Sequence, residues 1–139
     1  MRANRRNPFE KYLGPEDHIH KKLMDYLRLK YKRRCLFWHT PNEGKRKPFE
    51  KFKASWLGIT KGVSDIIILC RGKILALEVK AVYASGSKNY LSKEQKKFHF
   101  DVMANGGFVG KCWTFDEGKQ IIDAFISKQE DSDEIKTLW

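Results

Sequence analysis

Two β-rich runs separated by a three-residue turn constrain this chain more than any other feature. Asp65-Ile66-Ile67-Ile68-Leu69-Cys70 and Ile74-Leu75-Ala76-Leu77-Glu78-Val79-Lys80 flank Arg71-Gly72-Lys73, and β-favouring apolar residues on either side of a glycine turn predict a hairpin. A two-residue turn at Arg71-Gly72 pairs Cys70 with Lys73. Counting back from that pair sets Asp65 opposite Glu78, and the two-residue period of a strand puts Lys80 on the same side as Glu78. Ile74 and Ala76 share that face, while Leu75, Leu77 and Val79 line the other, so both faces are predicted to be covered near the turn.

The remaining elements arrange themselves around this hairpin. Gly14-Pro15 opens a segment with Ile19, Leu23, Leu27 and Tyr31 at helical spacing, predicting a helix over 15–32. Cys35-Leu36-Phe37-Trp38-His39 reads as a short strand entering the turn Thr40-Pro41-Asn42. Residues 43–62 are rich in lysine and glycine, with Phe49, Phe52, Trp56 and Leu57 interspersed, and are predicted to form a basic loop with a short helix. Ser92-Lys93-Glu94-Gln95 has the form of a capping box opening a helix that Gly106-Gly107 closes. A strand over 108–115 and a helix over 116–128, with Ile121, Ile122, Phe125 and Ile126 on its apolar side, complete the set. The expected class is α/β, a mixed central sheet flanked by helices in the order α-β-β-β-α-β-α. One domain over 14–128 follows, with a basic N-terminal arm at 1–13 and an acidic tail at 129–139.

Nine Phe, four Trp and five Tyr among 139 residues supply enough apolar surface for a real core without disulfide or metal staples. Cys35, Cys70 and Cys112 are odd in number and far apart, with no C-x-x-C pair, and are expected as reduced thiols. No apolar run approaches the ~20 residues that span a bilayer, and residues 1–12 lack the apolar core of a secretory signal. The expectation is a soluble, cytoplasmic protein. The formal net charge is +11, and it is localised: residues 1–61 hold 17 Lys/Arg against six Asp/Glu, residues 62–139 hold 11 of each. Clusters at 30–34 and Lys45-Arg46-Lys47, with Lys51, Lys53 and Lys61, read as contacts to the phosphates of a nucleic acid. A solvated charged face is the alternative reading.

Two carboxylates facing each other repel, and the pairing is tolerated where a cation sits between them. Hard divalent ions such as Mg2+ or Mn2+ take oxygen ligands of this kind. Glu16, on the same stripe as Ile19, Leu23 and Leu27, is a third candidate ligand, although a carboxylate in a first helical turn is also stabilised by the helix dipole alone. Gln95 shares a stripe with Phe98 and Val102 and either caps its helix or reaches the same site. The four histidines, His18, His20, His39 and His99, lack metal-ligand spacing and are expected in exposed or structural roles.

Laid out in order, these pieces resemble the VRR-NUC (virus-type replication-repair) family of the PD-(D/E)XK nuclease superfamily. They are Glu16, the run from His39 to Gly44, Lys61-Gly62-Val63-Ser64-Asp65, Leu77-Glu78-Val79-Lys80, Leu91-Ser92-Lys93-Glu94-Gln95 and Gly106-Gly107. Two departures stand out: Ser64 replaces the usual proline before the aspartate, and His20 stands where a glutamine is common. The resemblance implies a restriction-endonuclease-like core and phosphodiester hydrolysis. In it, Glu16, Asp65, Glu78 and the Val79 carbonyl would hold one or two Mg2+ or Mn2+ ions, Lys80 would orient or deprotonate the attacking water, and Gln95 would support the site. It also implies a homodimer selective for branched DNA, of the Holliday junction resolvase type, with no small-molecule cofactor, in a bacterial or virus-infected cell. Trp56, Trp113 and Trp139 are candidates for the dimer surface. Two other readings are a nicking or flap-type nuclease and a non-catalytic basic DNA-binding module.

Overall fold

The computed structural model describes residues 6–41, 46–86 and 88–129. In chain order these form a 3-10 turn (Pro8–Tyr12), α1 (Pro15–Tyr31), β1 (Leu36–His39), α2 (Pro48–Trp56), β2 (Ile66–Cys70), β3 (Lys73–Val79), α3 (Lys93–Ala104), β4 (Phe108–Cys112) and α4 (Phe115–Gln129). The strands make one mixed sheet in the order β1-β2-β3-β4.

The hairpin takes the register that the turn dictates. Cys70 pairs with Lys73 and Ile66 with Leu77, and both turn residues have positive φ, 50° at Arg71 and 81° at Gly72. That twist matches the right-handed twist of the strands it joins. β1 adds antiparallel to β2, and β4 adds parallel to β3 after the chain crosses through α3. One sheet face carries Ile66, Ile68, Leu75, Leu77 and Val79 into a core shared with Leu23 and Leu27 of α1 and Ile122, Phe125 and Ile126 of α4. Asp123 ties the two helices together at the rim, accepting hydrogen bonds from the Tyr26 and Tyr31 hydroxyls at 2.5 and 2.6 Å.

α3 starts where its capping box predicts. Ser92 Oγ accepts from the Gln95 amide at 3.2 Å and Gln95 Oε1 accepts from the Ser92 amide at 2.8 Å, so two orphan donors of the first turn are satisfied reciprocally. β4 ends at Cys112, short of the predicted 115, because Thr114 Oγ1 accepts from the Glu117 amide at 3.1 Å and begins α4 instead. Phe115 then packs edge-on against Tyr26. In the N-terminal arm, Asn7 Oδ1 accepts from the Phe9 amide and caps the 3-10 turn. Lys45 and all of the acidic tail but Gln129 lie outside the described residues. Among the described residues no helix is long and apolar enough to cross a membrane.

Gly62 decides how the α2–β2 connection meets α3. Its φ is +76°, and a Cβ there would stand 2.3 Å from the Glu94 carbonyl and 2.6 Å from the Gln95 nitrogen. Backbone against backbone cannot yield at so short a distance. Gly58 also has positive φ, +89°, but nothing within 4 Å. Gly62→Ala is therefore expected to destabilise by about 2 kcal/mol or more and Gly58→Ala by about 1 kcal/mol, a ranking that urea denaturation measures directly.

Candidate active site

The site forms where the hairpin runs out of apolar residues. Beyond Ile66 and Leu77, the last pair of the β2–β3 ladder, Asp65 and Glu78 come side by side. Asp65 bridges the strands through its side chain: Oδ2 accepts from the Val79 amide at 2.9 Å. Its own carbonyl accepts from the Thr40 amide at 2.9 Å, with His39 Nδ1 3.3 Å away. The residue is thus held by its carboxylate from β3 and by its backbone from the end of β1.

Glu78 is 2% exposed and Lys80 6%, an extreme burial for charged groups. Lys80 Nζ donates to Gln95 Oε1 at 2.9 Å, and Gln95 Nε2 donates to Glu78 Oε1 at 2.8 Å. Gln95 therefore caps α3 and bridges the strand's acid and base with one amide, so the two readings of this residue hold together. Lys80 and Glu78 Oε1 are 3.9 Å apart, a loose ion pair made effective by the shared glutamine. Glu78 Oε2 is buried with no hydrogen-bond partner. Burial first, then the charge of Asp65 and a hydrogen bond shared with it, push the Glu78 carboxyl up to about 9 against the opposing charge of Lys80, with Glu16 adding a smaller upward effect. Asp65 is within hydrogen-bonding reach only when one of the two carboxyls carries a proton.

Glu16 reaches this region from the first turn of α1, its Oε1 accepting from Asn89 Nδ2 at 3.2 Å. Asn89 is anchored in turn: its amide donates to the Ala81 carbonyl at 3.0 Å and its carbonyl accepts from Trp113 Nε1 at 2.8 Å. Glu16, Asp17, His20, His39, Pro41, Asp65 and Val79 line a cavity of ≈ 300 Å³. Glu16, Asp65 and Val79 are thereby brought to one opening, with Glu78, Lys80 and Gln95 immediately behind it. Among the described residues, no three His, Cys, Asp or Glu side chains stand close enough to form a ready-made metal cage. The donors that hold these carboxylates apart are neutral amides, from Val79, Gln95 and Asn89.

Sequence reasoning missed Asn89, a loop residue with no periodic signal. Nor did it bring two of the histidines together at the cavity. His20 and His39 meet edge to face at 4.5 Å between ring centroids inside the cavity, and burial, then His39, lowers the His20 pKa while Asp65 and Asp17 oppose them. His99 is buried and structural, its Nε2 2.9 Å from Oγ of the fully buried Ser64. That bond ties α3 to the residue just before Asp65, where a proline would have no side-chain hydrogen bond to offer. Of the basic residues, Lys47, Lys51, Lys53 and Lys61 are exposed and Arg46 is half-buried, all on or beside α2.

The carboxyl of Glu78 binds a proton in the folded chain that it has lost in the unfolded chain between pH 4.5 and about 9. The folded state holds more protons in that window, so stability falls as pH rises through it. Glu78→Gln is expected to remove this slope and to raise stability at pH 8 relative to wild type. Urea midpoints at pH 5, 6.5 and 8 test this; parallel slopes in the two proteins would refute it.

No protein-family profile matches the sequence, and no curated protein matches it. A search of solved structures finds one described as a VRR_NUC domain protein, at 22% identity and a TM-score of 0.62, covering 83% of this chain and 90% of that one. The chain shares that protein's α/β fold over nearly its whole described length.

Proposed function

We propose that this chain is a metal-dependent, structure-selective DNA endonuclease acting on branched DNA as a homodimer of the Holliday junction resolvase type. The observation that carries the reading is Glu78 Oε2, a buried carboxyl oxygen without a hydrogen-bond partner, on a side chain that lies beside Asp65 and has its other oxygen 3.9 Å from the buried Lys80. A buried carboxyl oxygen left without a partner is costly, which is why Glu78 holds its proton so far above the usual carboxylate range, and a cation at that oxygen can take the proton's place. The oxygen-rich donor set fits Mg2+ or Mn2+: Asp65, Glu78, the Val79 carbonyl and Glu16 would hold one or two such ions. When bound, the cation would neutralise charge building on the phosphodiester and make water acidic enough to attack near neutral pH.

The chain's own residues supply the rest. Lys80, fixed by Gln95, presents an amino group that as the ammonium holds the attacking water in line and as the neutral amine can take its proton. Asn89 keeps the Glu16 carboxylate turned toward the opening. Arg46, Lys47, Lys51, Lys53 and Lys61, with Lys45 nearby in sequence, would grip phosphates along α2, a contact that reads the shape of the nucleic acid more than its bases. The fold shared with a VRR_NUC domain protein supports the same chemistry.

Cleavage of labelled four-way junctions, flaps and linear duplexes with Mg2+, Mn2+ or EDTA tests this. The expected outcome is metal-dependent nicking favouring the junction, reduced about a thousandfold by Asp65→Ala with binding retained, since the change removes several kcal/mol of charge stabilisation. Lys80→Met is expected to lower the rate by about 100-fold or more without weakening binding. Preference for flaps or nicked duplex would point to the narrower nuclease reading. DNA binding without cleavage under any metal would leave a binding module and sink the enzyme.

A further inference from the structure

α2 is amphipathic in the wrong direction for a helix that stabilises its own fold. At about 100° per residue, Phe52, Trp56 and Phe49 fall within an arc of about 60°. Ala54, the one residue of α2 that is not fully exposed, lies nearly opposite that arc. The aromatic stripe therefore points straight away from the body of the protein. Phe49 is 71% exposed, Phe52 64% and Trp56 76%, and Leu57 (66%) and Ile59 (45%) continue the apolar surface past the helix end. Single exposed apolar residues are ordinary, but five large ones on one short segment mark an interaction surface.

We propose that this face of α2 is where a second copy of the chain docks, an inference that rests on the nuclease reading only for its use and not for the contact itself. Taking about 200 Å² for a large apolar side chain, the five present on the order of 600 Å² per protomer. A stable interface buries about 800 Å² on each partner; the exposed Pro48 on one edge of the stripe and the aliphatic stem of Lys53 on the other supply the remainder, the lysine charge staying at the rim. Base stacking by single-stranded DNA would use the three rings but would leave Leu57 and Ile59, which have no π face, in water.

Position along the chain gives the contact its consequence. α2 is bracketed by two residues of the cavity lining, Pro41 before it and Asp65 after it. A two-fold pairing of α2 with its counterpart would therefore set two cavities in a fixed, symmetric relation, as two nicks across a branch point require. Trp113 does not serve this purpose, since its indole is half-buried and bonded to Asn89.

The test measures mass and cutting separately. Light scattering of the full chain at 0.1 and 0.5 M NaCl is expected to give twice 16.3 kDa, with dimerisation no weaker at high salt because only lysine repulsion is screened there. The neutral double variant Phe52→Gln/Trp56→Gln is expected to give 16.3 kDa with unchanged circular dichroism and a cooperative urea transition whose midpoint no longer depends on protein concentration. On a metal-supplied four-way junction it is expected to lose paired incision at least tenfold while single nicks stay within about twofold. A wild type that is monomeric at both salts, or a double variant that stays dimeric, overturns the proposal. So does a monomeric wild type whose affinity for single-stranded DNA falls in the variant, which would assign the stripe to bases. A dimer that dissociates in the variant but cuts no DNA upholds the surface and overturns only the nuclease reading.

Discussion

A carboxylate buried at the end of an apolar strand, beside a second carboxylate, is the constraint around which this molecule is organised. Glu78 sits one residue past Leu77 and one before Val79, both of which belong to the core, so the strand that builds the core also carries the charge into it. Leaving it there requires compensation from several directions. Gln95 donates from the start of α3, Lys80 supplies an opposing charge two residues along, and Asp65 is drawn aside by the Val79 amide. The Val79 amide belongs to the Glu78 strand and Lys80 follows it directly, but Gln95 comes from α3 and Asp65 from just before β2, and so the packing of those elements is tied to the site.

That dependence explains features that otherwise look unrelated. Gly62 is needed because the chain entering Asp65 runs against the backbone of Glu94 and Gln95. Ser64 is fully buried and bonded to His99, which pins the approach to Asp65 onto α3 a second time. The Gln95 amide closes a capping box and bridges acid to base, so the start of a helix and the geometry of the site cannot vary independently. One oxygen of Glu78 is left over, and the structure supplies no donor for it among the described residues.

α2 shows the opposite arrangement. Among the described residues nothing covers its aromatic stripe, and no residue of the helix is buried. It forms as a helix through local means, with Pro48 in the first turn and Glu50 accepting from the Lys47 amide at 3.2 Å. A segment that is helical for local reasons and apolar on its outer side has its stability set apart from the core, which leaves its surface available for a partner.

Much of this was legible in the linear order of residues. Two β-rich runs around Arg71-Gly72 determined the register, because a two-residue turn leaves only one pairing, and strand alternation then put Asp65, Glu78 and Lys80 together. Helical spacing located α1 and α4, and the Ser92 box located α3, since both signals act over four residues or fewer. Tertiary structure alone decided the rest. Asn89 reaches Glu16 from a loop 73 residues away, His20 meets His39 across two elements, and Ser64 finds His99 35 residues on. Short-range patterns record which face of a strand or helix is apolar; they do not record which distant side chain will satisfy a buried polar atom, because that partner is chosen only when the layers close.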